Sequence, residues 1–162
     1  MDASAIELLY RSHGHLVRRR ARRLLGNEDD AREVLHEVFA SLLDRPAQLR
    51  RASAPTTWLY AATTHACLNR IRNRKTRAKL LAAAHEGEGA APAPTAASPE
   101  ASAILRDLLA GVPESLAHVA VYYYADEMTQ GEIAAVLGCS RRHVGDLIER
   151  LHTCLRQIEE AS

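Results

Sequence analysis

Apolar residues recur at helical spacing from Ala5 to Leu25, at Ile6, Leu9, Tyr10, Leu16, Val17, Ala21, Leu24 and Leu25, and predict a first helix. Gly26 follows the last apolar pair as its C-cap. Asn27 then caps a second helix whose first turn is acidic (Glu28, Asp29, Asp30), where the positive end of the helix dipole favours carboxylates. Its inner face is Ala31, Val34, Leu35, Val38, Phe39, Leu42 and Leu43, while Glu33, His36 and Glu37 form a polar patch suited to a partner. Arg45-Pro46 ends this helix, and residues 46–54 read as a loop. Pro55 opens a third helix that runs to about Ala84, roughly 40 Å at 1.5 Å per residue. Short loops join the three into a compact bundle over residues 5–84.

The pattern breaks at residues 85–100, HEGEGAAPAPTAASPE, which hold three Pro, two Gly and no large apolar residue. This composition predicts a flexible linker with some polyproline character. Beyond it, Ser102–Leu109 reads as a short helix, and Pro113 opens another through VAVYYYADE. The stretch MTQGEIAAVLGCSRRHVGDLIERL carries the most specific local pattern. Thr129 and Glu132 form a capping box, Ile133, Ala134 and Leu137 a short apolar face, and Gly138 a stop. Ser140 caps the next helix, whose inward residues are Val144, Ile148, Leu151 and Leu155. A short helix, a tight Gly turn and a second capped helix is the grammar of a helix-turn-helix. Such motifs set the first turns of the second helix in the major groove, and here those turns hold Arg141, Arg142, His143, Gly145 and Asp146. The expected fold is all-α: two small helical domains, residues 5–84 and 101–160, joined by the linker.

Charge sharpens this picture. From Arg45 to His85 there are nine Lys or Arg and no Asp or Glu, in a chain whose net charge is only +1. The run is interleaved with Trp58, Tyr60, His65 and Asn69, groups that stack on bases or hydrogen-bond to them. Cations that follow a backbone, beside flat side chains that meet unstacked bases, suit single-stranded or melted nucleic acid. The arginines crowding the end of the first helix have a plainer explanation in its dipole. Residues 100–162 carry ten acidic against five basic groups, an unusual balance for a domain that meets phosphates.

Composition mostly excludes. No stretch of 18 apolar residues predicts a membrane span, and MDASAIELLY lacks the basic start and apolar run of a signal peptide, so a cytoplasmic setting is expected. Cys67, Cys139 and Cys154 lack CxxC spacing, and the eight His do not join them at zinc-ligand spacing; neither a metal nor a cofactor is expected. There is no Gly-rich phosphate loop, HExxH or nucleophile elbow, so no enzyme frame is recognisable and no small-molecule substrate is expected.

Three stretches in this order, LLYRSHGHLVRRRARRLLGNEDDAREVLHEVF, TWLYAATTHACLNRIRNRKTR and VPESLAHVAVYYYADEMTQGEIAAVLGCSRRHVGDLIERL, resemble a bacterial sigma factor of the sigma-70 family. The similarity is to the small extracytoplasmic-function (ECF) group and spans nearly all of the chain except the linker. It implies a region 2-like three-helix bundle, a region 4-like helix-turn-helix domain, and a protein that brings core RNA polymerase to promoters. Residues 28–43 look like the helix that docks on the polymerase largest subunit, with Glu33, Glu37 and Phe39 at family positions and His36 where Gln is usual. The second-largest subunit, promoter DNA and an anti-sigma protein are further partners that the resemblance implies.

Residues 44–54 and the start of the third helix look like the −10 reader, which melts the promoter and holds a flipped non-template base. Arg70, Arg72, Arg74, Lys75, Arg77 and Lys79 would hold the non-template strand, with Trp58, His65 and Asn69 beside them. Trp58 matches a tryptophan that mostly packs, and His65 and Asn69 stand where Asn and Asp are common. In the second domain Thr129, Ser140, Arg141, Arg142 and His143 would meet the −35 element. Gly145 and Leu147 stand where the family has Lys and Arg, with Asp146 between, which weakens that contact. The alternative is a sigma-like decoy or partner switch that no longer initiates transcription; a free-standing DNA-binding regulator would not need the polar face of the second helix.

Overall fold

The computed structural model describes residues 3–50, 54–84 and 100–161, and every regular element among them is helical. In chain order these are α1 (Ala3–Leu25), α2 (Glu28–Asp44), α3 (Ala47–Arg50), α4 (Pro55–Ala84), α5 (Glu100–Gly111), α6 (Glu114–Ala120), a π-helical turn (Val121–Ala125), α7 (Gln130–Leu137) and α8 (Arg141–Ala161). The chain forms two compact units, Met1–Asp107 and Leu108–Ser162. The linker expected at residues 85–100 lies, but for its last residue, outside the described residues.

In the first unit α1, α2 and α4 pack against one another in pairs. Their apolar stripes meet at Val17, Ala21 and Leu24 of α1, Val34, Val38 and Leu42 of α2, and Leu59, Cys67 and Leu68 of α4, all buried. Leu16 and Leu43, expected inside, are exposed, because each sits about 100° around its helix from a buried neighbour. The turn from α1 to α2 is set by two residues. Gly26 takes the left-handed conformation at φ 77° and donates its N–H to the Arg22 carbonyl (2.7 Å). Asn27 accepts the Asp30 N–H (3.0 Å) and donates its amide to the Asp30 carboxylate (2.5 Å), which satisfies an N–H that the helix start leaves without a partner.

The loop expected over residues 46–54 is corrected in part. Residues 47–50 form one helical turn, closed by bonds from Gln48 N to Arg45 O (3.2 Å) and from Leu49 N to Pro46 O (3.3 Å). Leu49 is buried, and this single apolar anchor fixes the turn against the unit.

In the second unit α6 and α7 both pack on α8, around Val119, Tyr122, Ile133, Val144 and Leu151. The helix expected from Pro113 through Glu127 is α-helical only to Ala120. It then widens to a π turn, with Asp126 N bonding Val121 O (3.0 Å) and Met128 N bonding Tyr122 O (3.0 Å). The wider turn keeps the consecutive Val121 and Tyr122 in the core while Tyr124 turns outward, its hydroxyl 2.6 Å from His152 Nε2. The capping box at α7 is complete: Glu132 N donates to Thr129 Oγ1 (3.2 Å), and Thr129 N donates to Glu132 Oε2 (2.8 Å).

Gly138 ends α7 at φ 69° with no heavy atom within 4 Å of a would-be Cβ. Substitution there is therefore a test of backbone conformation alone. Gly138→Ala is expected to cost roughly 1–2 kcal/mol, the left-handed penalty of an L side chain. A melting temperature of the second unit unchanged in calorimetry would count against this geometry.

Candidate nucleic-acid interface

The buried residues of the basic helix α4 lie between Leu59 and Ile71: Leu59, Thr63, Thr64, Ala66, Cys67, Leu68 and Ile71. Two threonines inside this face are satisfied locally, Thr63 Oγ1 donating to Leu59 O (2.6 Å) and Thr64 Oγ1 to Tyr60 O (2.9 Å). Arg20 of α1 reaches across to Thr64: its Nε and Nη2 donate to Thr64 Oγ1 (3.0 and 2.8 Å), and its guanidinium lies 3.6 Å from the centre of the Tyr60 ring. One of the arginines ascribed to the α1 dipole therefore clamps α4, and Arg18 and Arg22 pair with Glu28 (3.5 and 3.6 Å).

From Arg70 onward the α4 cations divide into two sets. Arg70 donates to Glu33 (2.6 Å) and Glu37 (3.3 Å), and Arg74 pairs with Asp30, so a ladder of charges runs from α4 to the acidic face of α2. Desolvation would lower the Arg70 pKa, but the bonds to Glu33 and Glu37 outweigh it and the value rises. The other set points away. His65, Asn69, Arg72, Thr76 and Lys79 recur at spacings of three and four residues and form one outward stripe, with Lys75 alongside. The Asn69 amide and the His65 ring nitrogen are 3.2 Å apart on this stripe. Among the described residues no carboxylate pairs with Lys75, Arg77 or Lys79.

The expected site residues thus separate by position. Trp58 is half-buried near the start of α4, while His65, Asn69, Arg72, Lys75 and Lys79 come together on the outward stripe, with Arg77 exposed beyond them. Arg70 and Arg74, expected on the strand, face α2 instead, because matching carboxylates lie within reach there. Of the docking residues, His36 is exposed, and Glu33 and Glu37 are more than half exposed even while paired. Phe39 is buried edge-on against Tyr10, ring centres 5.1 Å apart, and packs α2 on α1. Residues 51–53 of the expected −10 reader lie outside the described residues.

In the second unit Thr129, Ser140, Arg141, Arg142 and His143 are all exposed around the turn between α7 and α8. Ser140 caps α8 by accepting His143 N–H (3.1 Å), which leaves its own O–H to donate elsewhere. Leu147 is buried in the core, so it is a packing position and not a lost surface contact. Sequence reading missed Arg20 and the charge ladder. A signal for the ladder was present: Asp30, Glu33 and Glu37 repeat at helical spacing, as do Arg70 and Arg74.

Burial pushes the Cys67 thiol up to about 12 from its ordinary 9.0, against the lowering pull of Arg20 and Arg70. A thiol that stays protonated is a poor nucleophile. A thiol reagent at pH 8 is therefore expected to modify Cys139 and Cys154, both half-buried, and to reach Cys67 only on unfolding. Because the folded value is raised, this thiol's contribution to stability is full below about pH 9 and declines toward pH 12. Mass spectrometry of labelled native protein checks the order, and early labelling of Cys67 would contradict it.

Among the described residues the protein is all-helical, with a basic stripe on one unit and a capped helix-turn-helix on the other. Residues 9–77 match the family described as Sigma-70 region 2. Several solved structures share its fold. The structure of CnrH in complex with the cytosolic domain of CnrY aligns with a TM-score of 0.54 at 22% identity, over 99% of this chain and 91% of that one. The sigma factor RpoE in complex with the anti-sigma factor NepR, from Bartonella quintana, aligns with a TM-score of 0.52 at 13% identity, over 98% of each chain. No curated protein matches the sequence. No helix among the described residues is long and apolar enough to cross a membrane.

Proposed function

We propose that this chain is an ECF-type sigma factor that binds core RNA polymerase and directs promoter-specific initiation by recognising and melting promoter DNA. The observation that carries the reading is the division of cations on α4. Arg70 and Arg74 close onto α2, while Arg72, Lys75 and Lys79 lie around the other side of α4 beside His65 and Asn69. In this reading the outward stripe holds the non-template strand by its phosphates, and His65 with Asn69 meets unstacked bases. The exposed Glu33, His36 and Glu37 form the docking patch for the polymerase largest subunit, and the α7–α8 turn meets the −35 element. Bond-making chemistry belongs to the polymerase; this chain contributes specificity and strand separation.

The two structural relatives, each bound to a partner protein, support an anti-sigma partner for this chain as well. The alternative, a sigma-like decoy, draws on the exposed Asp146 and Glu149 along α8, which repel phosphates. Gel filtration with core polymerase tests the reading. A stoichiometric complex that opens promoter DNA is expected; a complex that opens none favours the decoy, and absence of a complex defeats both.

A further inference from the structure

The first turns of α7 and α8 interlock through two glycines. A Cβ on Gly145 would lie 3.5 Å from Gln130 Oε1, and a Cβ on Gly131 would lie 3.8 Å from Cδ and Nε of Arg141. The Gln130 side chain therefore lies along α8 beside its fifth residue, and the stem of Arg141 lies back over the start of α7. Gln130 and Arg141 are exposed, whereas Val144, Leu147, Ile148 and Leu151 take the core side of α8. By helical spacing Arg141 and Gly145 share one flank of α8, and Arg142 and Asp146 share the adjoining outward row. At position 145, where α8 offers no side chain, the surface is completed by a carboxamide from α7.

Resting on the −35 reading above, we propose that Gln130 is a specificity residue of the second unit, presenting its carboxamide in place of a side chain at position 145 to an adenine in the major groove. A carboxamide carries a donor and an acceptor side by side and matches adenine N7 and N6 in a bidentate pair. Arg141 and Arg142 donate only, and the Asp146 carboxylate accepts only. Gln130 is the one carboxamide in α7 and the first turns of α8. Its seat depends on Gly145: a long side chain there would occupy the space beside Oε1 and push the amide off the α8 surface. The glycine that removes one reading group is thus what admits another.

The test loads the full chain, wild type or variant, on core polymerase and sequences the duplexes it retains from a pool randomised upstream. Gln130→Ala is expected to lower the preference for adenine at one upstream base pair by roughly 10- to 100-fold, with other positions and the salt dependence unchanged. Gly145→Lys is expected to lose the same preference although Gln130 is intact, with circular dichroism confirming the fold. An unchanged profile overturns the proposal, as does a Gln130-dependent position that is not adenine. A uniform loss across all sequences with a shallower salt dependence also overturns it, because that marks a phosphate contact. A wild-type complex that selects no upstream motif defeats the −35 reading itself, and the proposal falls with it.

Discussion

Lys75→Glu combined with Lys79→Glu is expected to weaken binding of a non-template single strand at least tenfold while leaving thermal stability within about 0.5 kcal/mol of wild type. Lys79 is exposed and Lys75 half-buried near it, and among the described residues no carboxylate pairs with either. Reversing them removes two cations from the strand path and adds two anions. Each lost phosphate contact should also reduce the salt dependence of binding, by about 0.7 in the log–log slope for a single strand. Fluorescence anisotropy with polymerase loaded with this chain measures affinity and slope together. An affinity and slope equal to wild type would remove the outward stripe from the account.

Arg70→Glu is expected to act the other way, on the fold first. The substitution deletes the bonds to Glu33 and Glu37 and sets a third carboxylate between them. Charge-assisted hydrogen bonds contribute about 1.5–3 kcal/mol when protected, and screening of these half-exposed glutamates reduces that to about 1–2 kcal/mol. For a unit of this size the melting temperature should fall by about 4–8 °C per kcal/mol, and added salt should recover part of the loss. Replacing Glu33, Glu37 and Arg70 together by Gln should restore most of the stability, because no charge is then left without a partner. Equal melting of Arg70→Glu and wild type would show that the ladder contributes nothing to packing. Arg74→Glu carries the same complication, since Asp30 is the more buried member of its pair. A defect in that variant would mix loss of strand contact with loosening of α2.

What was legible in the sequence follows from the range of the interaction that writes it. Caps are local, so Gly26, Asn27, Thr129, Gly138 and Ser140 marked the ends of α1, α2, α7 and α8 to within a residue or two. The apolar stripes of α1 and α2 were equally plain, because burial on a helix repeats every three to four residues. The turn at Ala47–Arg50 was not, since its cause is one buried leucine and a four-residue helix has no period to detect. The π turn escaped for a similar reason: VYYYA reads as an ordinary helix, and only the packing of Val121 and Tyr122 calls for the wider turn.

Charge was the least legible feature. A run of nine cations reads as one surface, yet Arg70 meets a carboxylate 37 residues away and Arg74 one 44 residues away. Which cations of α4 are drawn into pairs is thus decided by the acids of α2 and not by α4 alone. The same holds for Phe39, whose fit to a docking pattern conceals its packing on Tyr10.

Run-off transcription with purified core polymerase on a pool of genomic promoters, with and without this chain, tests the central claim most directly. The account predicts new transcripts that share an upstream motif, lost with Lys75→Glu and Lys79→Glu while the complex with polymerase persists. A chain that joins the polymerase and yields no promoter-dependent transcript, or that does not join it at all, would contradict it.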